Sequence, residues 1–239
     1  MMLLTVKDMH TFIGQFHILQ GINLEIPAGK VTVLIGRNGA GKTTTLRSII
    51  GLNPPTADSL VEFNGEKING MPPYVIARKG IGFVPEDQGI FSDLTVEENF
   101  RLAMLKDDKE TFDRKDWILS EIFPDLTKKL HNKAGSLSGG QKQMLSIGRA
   151  LVNDNKVLLI DEPSKGLAPI IVETLANAIK MIKDRTTVVL VEQNFWLASA
   201  VGERYYIIDD GRTAHQGAMA DLINNKELQQ RYLGIGTKE

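Results

Sequence analysis

Gly36-Arg37-Asn38-Gly39-Ala40-Gly41-Lys42-Thr43 follows the apolar run Val31-Thr32-Val33-Leu34-Ile35 and precedes a helical pattern over Thr44–Ile50. A glycine, four residues, Gly-Lys and then a hydroxyl residue make the P-loop pattern. Glycines let successive backbone N–H groups turn inward around phosphate oxygens, and the following helix adds the positive end of its dipole. Lys42 is then placed to reach the β- and γ-phosphates, and the Thr43 hydroxyl to ligate Mg²⁺. Such a site needs a second metal-directed carboxylate at the end of a neighbouring strand. Asp161, which closes the apolar run Val157–Ile160, meets that need. Glu162 is expected on the opposite side of the extended chain, where one acid serves the metal and the other orients or deprotonates an attacking water.

Working outward, Val31–Ile35, Val157–Ile160 and Thr187–Val191 are short, β-branched and apolar on both faces, and each is followed by a helical pattern. They predict a parallel sheet covered by helices. Leu3–Val6, Ile18–Ile26 and Leu60–Phe63 are separated by the turns Ile13-Gly14-Gln15, Pro27-Ala28-Gly29 and Asn64-Gly65, which predicts a small antiparallel sheet. Tyr205–Ile208, Asp210-Gly211 and Arg212–His215 read as a hairpin with a two-residue turn. Between the core strands, Thr95 and Glu98 form a capping box ahead of a helical run over Asn99–Leu105. The charge-dense Lys106–Asp116 is expected to be a solvated loop or exposed turn. Trp117–Phe123 places Ile118, Leu119, Ile122 and Phe123 on one helical face, which Pro124 is expected to stop.

Composition narrows the function classes. The chain has 239 residues, with 28 Lys plus Arg against 29 Asp plus Glu, so no basic excess points to nucleic acid. The absence of cysteine excludes disulfides, thiol nucleophiles and thiolate metal sites. No apolar run approaches a membrane span, and MMLLTVKDMH lacks the long apolar stretch of a secretory signal, so a soluble, cytosol-compatible protein is expected. His10, His17, His131 and His215 are scattered without a close pair, so no zinc site is expected. Neither Asn132-Lys133 nor Asn155-Lys156 continues into the Asn-Lys-x-Asp run of a GTPase.

Leu137-Ser138-Gly139-Gly140-Gln141 lies shortly before Asp161-Glu162. Ser138 is placed to cap the helix over Gln141–Leu151, and the glycines leave N–H groups free to hold an anion. With the P-loop, this run resembles the signature of the ATP-binding-cassette ATPases, in order and spacing along nearly the whole chain. The resemblance implies an α/β fold, with a P-loop NTPase core of mainly parallel sheet (31–57 and 154–239). It adds a flanking antiparallel β-subdomain (1–30 and 58–70) and a helical subdomain (89–153), all within one cassette over 1–239. It implies ATP and Mg²⁺ as ligands, with ATP contacts from Gly36 through Thr44. The signature residues Ser138, Gly139, Gly140 and Gln141 of one subunit would close over the γ-phosphate held by the other, giving a head-to-tail dimer with two sandwiched ATP molecules.

Val84-Pro85-Glu86, Glu162-Pro163-Ser164, Gly166-Leu167-Ala168-Pro169 and Val191-Glu192-Gln193-Asn194 resemble the branched-chain amino acid importer ATPases of the LivF type. That implies a peripheral protein on the cytoplasmic face of the cell membrane. Its partners would be a second ATPase subunit, two integral membrane permeases and, indirectly, an external solute-binding protein, with no nucleic acid. Ser164–Leu167 would contact the dimer partner. Three positions depart from the wider family. Glu86 stands where a glutamine usually faces Mg²⁺ and the water, and is expected to remain a metal-linked sensor. Gln193 replaces a histidine, and its amide does not titrate between about pH 5 and 8, which leaves Glu162 as the main candidate base beside Lys42. Ile13 holds the usual place of the aromatic adenine platform, so stacking falls to Phe12 or Phe16, or gives way to apolar contact.

Overall fold

The protein is described over residues 1–234 by a computed structural model; the last five residues of the 154–239 stretch lie outside the described residues. β1 (Met2–Ile13) and β2 (Phe16–Pro27) form a long hairpin that turns at Gly14-Gln15, with Ile13 paired to Phe16. β3 (Val31–Ile35) leads through the P-loop into α1 (Lys42–Ile49). β4 (Leu60–Phe63) and β5 (Glu66–Lys67) extend the hairpin into a four-stranded antiparallel sheet ordered β2-β1-β4-β5. α2 (Pro73–Arg78) then feeds β6 (Ile81–Val84).

A helical stretch follows, with α3 (Val96–Ala103), α4 (Lys109–Trp117), one π-type turn (Ile118–Ile122), α5 (Pro124–Thr127) and α6 (Gly139–Leu151). The chain returns through β7 (Val157–Asp161), α7 (Pro169–Lys183), β8 (Thr187–Glu192), α8 (Phe195–Val201), β9 (Arg204–Asp209), β10 (Arg212–Ala218) and α9 (Met219–Asn224). Two short helical turns follow α9.

The second sheet is ordered β10-β9-β3-β8-β7-β6, parallel throughout except for the β9–β10 hairpin. Asp210 and Gly211 both have positive φ, as a two-residue type I′ turn requires. Side-chain alternation splits the core in two. Val31, Val33, Ile35, Leu158, Ile160, Val188 and Leu190 pack on the face that holds residues of α3, α6, α7 and α8. Leu34, Val157, Leu159, Val189 and Val191 pack with α1 and the antiparallel sheet on the other face. Both faces being covered is why these strands carry apolar residues on both faces. Among the described residues, no helix is long and apolar enough to cross a membrane.

Three local expectations change. Lys106–Asp116 is a loop only as far as Asp108, which caps α4 by accepting from the Thr111 N–H; of that helix's residues only Thr111 is buried, with Trp117 packed against the core. Pro124 does more than stop the preceding helix, because it opens α5 at a first-turn position where its missing N–H costs nothing. His10 and His17 are brought together by the β1–β2 hairpin, Nδ1 to Nε2 at 3.1 Å, with Asp8 Oδ1 3.0 Å from His10 Nε2. The pair lies close in space although its members are seven residues apart.

Candidate nucleotide site

The parallel strands end at one edge of the sheet, where ligand sites of open α/β sheets form. β3 delivers the P-loop there, β7 delivers Asp161 and Glu162, and β8 delivers Gln193. The loop's glycines meet a steric demand. A Cβ at Gly36 would overlap the Ile208 carbonyl, and at Gly41, with φ +105°, it would come within 2.8 Å of Leu19 Cδ2. Gly41 gives α1 no side-chain cap, so the N–H groups of the first turn remain available to an anion.

Lys42 is only 4% exposed and donates to the carbonyls of Gly36 and Arg37 at 3.0 Å each. Its Nζ stands 3.5 Å from Glu162 Oε1. Burial pushes the Lys42 pKa down, while the neighbouring Glu162 carboxylate opposes that shift. The Thr43 hydroxyl donates to Asp161 Oδ1 at 3.0 Å. The other Asp161 oxygen, Oδ2, is buried without a partner. Burial raises the Asp161 pKa to about 6, the Thr43 hydrogen bond opposes this, and the Glu162 and Glu86 charges add to it. A hydroxyl beside a buried, half-satisfied carboxylate is a donor set suited to a hard cation such as Mg²⁺.

Glu162 faces Lys42 and accepts a 2.6 Å hydrogen bond from Gln193 Nε2. Asp161 and Glu162 do serve different partners, though not by simple strand alternation. Glu162 lies past the end of β7 with φ +44°, a left-handed conformation uncommon outside glycine. Ile13, Ile18, Asn38, Gly39, Gly41, Lys42, Thr43, Thr44, Glu86, Glu162, Lys165 and Gln193 enclose a cavity of about 360 Å³.

Several expected residues stand elsewhere. Ile13 lines the cavity, whereas Phe12 does not: alternation along β1 turns it away, and its ring stacks on His17 at 4.2 Å. Phe16 is 73% exposed and also outside the lining. Glu86 lines the cavity, but its carboxylate is paired with Lys165 Nζ and makes no contact with Thr43 or Asp161. Ser138 caps α6 through a full capping box with Gln141, with bonds of 3.3 and 3.1 Å, and the signature residues do not line this cavity. Helix α6 starts at Gly139, two residues earlier than expected. Lys165 and Ile18 are cavity residues that the sequence alone does not single out. Lys165 sits inside the Ser164–Leu167 run, three residues past Glu162. A roomier hollow of about 750 Å³ gathers Glu97, Glu98, Asp107, Arg101 and Lys115 among the helices, and none of its lining residues carries a buried unpaired polar atom.

Residues 19–165, more than half the chain, match the ABC transporter family. The branched-chain amino acid transport ATP-binding protein BraG of Pseudomonas aeruginosa is 38% identical over 97% of this chain and 100% of its own. The probable branched-chain amino acid transport ATP-binding protein LivF of Archaeoglobus fulgidus is 36% identical over 98% and 99%. The lipopolysaccharide export ATP-binding protein LptB of Escherichia coli K12 is 31% identical over 97% of each chain. A crystal structure of a nucleotide-free ATP-binding cassette from an ABC transporter superposes with a TM-score of 0.84 at 24% identity, covering 99% of this chain and all of that one, which shows the shared fold. Fold, site and sequence agree: the chain belongs to the ABC transporter family and is a nucleotide-binding ATPase of that family.

Proposed function

We propose that the chain is the ATP-hydrolysing subunit of a membrane importer for branched-chain amino acids. It would act at the cytoplasmic face of the membrane with a second ATPase subunit and two integral membrane permeases, and a solute-binding protein outside the cell would deliver the cargo. The observation that carries the ATPase reading is the gathering of Lys42, Thr43, Glu162 and Gln193 on one cavity, with Asp161 held by Thr43 behind it. The names of BraG and LivF, the two relatives above that exceed 35% identity, support the cargo.

In this reading the P-loop N–H groups and Lys42 grip the phosphate tail and absorb charge as water attacks the γ-phosphate in line. Thr43 and Asp161 would hold Mg²⁺, which when bound neutralises the phosphate oxygens. Glu162 takes the proton of the attacking water, and Gln193, unable to titrate, holds the Glu162 carboxylate in place. Ser138, Gly139, Gly140 and Gln141 reach the γ-phosphate of the partner subunit, so closure draws on contacts that exist only in the dimer. The three subdomains divide the work. The core (31–57 with 154–239) grips the phosphates, the antiparallel sheet (1–30 with 58–70) meets adenine through Ile13, and the helices (89–153) transmit closure to the permease.

Two measurements test this reading. Purified protein should release phosphate from ATP in a Mg²⁺-dependent way. Capture from a membrane extract should bring down two integral membrane proteins and yield uptake of leucine, isoleucine or valine when reconstituted with the binding protein. Phosphate release without any membrane partner would leave an ATPase uncoupled from transport.

A further inference from the structure

Glu192 closes β8, is 1% exposed, and has no share in the chemistry described above. Its carboxylate accepts four hydrogen bonds. Oε1 takes the Ser164 N–H at 3.0 Å; Oε2 takes the Ser164 hydroxyl at 2.9 Å and the N–H groups of Gln193 and Asn194 at 3.1 Å each. All four donors belong to the two segments that flank the cavity. A carboxylate is the side chain able to accept from so many at once, because it carries about four lone-pair sites and no proton of its own.

These bonds complete a ring around Glu162. The chain runs from Glu162 through Pro163 to Ser164, which Glu192 holds; Glu192 leads directly to Gln193, and Gln193 Nε2 returns to Glu162 Oε1. The Glu162 N–H is tied to the Val191 carbonyl at 2.9 Å. A non-glycine residue at φ +44° persists only where its surroundings over-determine it, and this ring supplies that constraint.

We propose that Glu192 is a positioning residue for ATP hydrolysis, clamping the Ser164 loop to the Gln193–Asn194 turn so that Glu162 is held facing Lys42 and the cavity. This inference rests on the ATPase reading.

The test uses the full chain with Glu192→Gln, which keeps the shape but turns an N–H₂ group toward the donors. In nucleotide-free protein, amide exchange at Ser164 and Asn194 should speed up by about tenfold or more as the local bonds open. ATP affinity should stay within about twofold, while kcat falls about 100-fold, the size of effect a misplacement of about 1 Å produces. In a Glu162→Gln background the same change should cost nothing further in single-turnover rate and should leave the closed dimer intact. If Glu192→Gln fails to fold, Ser164→Ala decides: removing one donor should lower kcat by about fivefold or more at unchanged ATP affinity.

An unchanged kcat overturns the inference, as does an ATP affinity that falls in step with kcat. A full additional loss in the Glu162→Gln background, or a dimer that no longer closes there, assigns Glu192 to another role and overturns it too. Wild-type protein that hydrolyses no ATP sinks the ATPase reading instead, while the exchange result still reports whether the clamp exists.

Discussion

Two helix starts in this molecule are built on glycines, just before α1 and in the first turn of α6, and they are finished differently. At the head of α1, Gly41 provides no side-chain cap, Lys42 is buried against the loop carbonyls, and the free N–H groups border a cavity. At the head of α6, Ser138 and Gln141 satisfy each other in a capping box, with Ser138 and Gly139 exposed and away from that cavity. The first is a grip assembled within one chain, where buried charges are tied to carbonyls and carboxylates. The second is stable with nothing bound, as the proposed role of completing a site on another subunit requires. A helix start left open inside the fold needs a ligand, and one closed by its own side chains does not.

The largest expected effect lies on the gripping side. Glu162→Gln keeps an acceptor for Gln193 but removes the proposed base, so phosphate release should fall by about 10²–10⁴-fold while ATP still binds. The variant should accumulate as a closed dimer, visible by sedimentation. Phosphate release at the wild-type rate would move the base elsewhere. The presenting side is tested by Ser138→Arg, placed in the Glu162→Gln background. ATP affinity of the monomer should stay within about twofold, since the cavity is untouched, and the ATP-dependent dimer should disappear. In otherwise wild-type protein the same substitution should cut turnover by about 100-fold through loss of alignment across the interface. A Ser138→Arg protein that still dimerises would show that α6 does not face the partner's phosphates.

The gripping side is also the more legible in sequence, for a physical reason. Strand, loop and helix of the P-loop are contiguous, so Val31 to Ile50 shows the whole motif. Asp161-Glu162 is legible because a buried strand advertises its own end. β6 is not, since Ile81-Gly82-Phe83-Val84 is four residues long, interrupted by a glycine, and stabilised by pairing with the distant β7. Without β6 its consequence stays hidden. Parallel pairing of Val84 with Ile160 runs the segments after both strands side by side, which brings Glu86 to Lys165. Phe12 and Ile13 are equally apolar as letters, and only the pairing in the hairpin decides which of them faces the cavity. α4 is illegible because charge density hides helical periodicity when a helix buries little more than Thr111.

The asymmetry between the two helix starts sharpens further with pH. The folded protein raises Asp161 to about 6 from an ordinary value of 3.8, mainly by burial. Between those values the native state holds a proton that the unfolded chain has released, so stability falls as pH rises from about 4 to about 6. Asp161→Asn removes the charge while leaving an oxygen for the Thr43 hydroxyl. Without Mg²⁺ and nucleotide, the variant should match wild type near pH 4 and exceed it above pH 6, by on the order of 2–3 kcal/mol in denaturant unfolding. Equal stabilities across that range would mean that Asp161 is better solvated than its burial implies. α6 offers no such dependence, because Ser138 and Gln141 carry no titratable group.

The smallest effect concerns the one cavity carboxylate whose partner is exposed. Glu86 is paired with Lys165, and that contact, together with the Glu162 and Asp161 charges, raises the Lys165 pKa. An unneutralised Glu86 would repel the phosphate tail across the shared cavity. Lys165→Gln should therefore weaken ATP binding, but by less than about fivefold, since solvent-exposed pairs are weakly coupled. Adding Glu86→Gln should restore the affinity, because the repelling charge goes with it, and raising the salt concentration should shrink both changes. Glu86→Gln alone should leave ATP hydrolysis measurable. Complete loss of hydrolysis in that variant would mean that Glu86 abandons Lys165 for the metal once nucleotide is bound, and the metal would then have a third holder beside Thr43 and Asp161, supplied by the segment after β6.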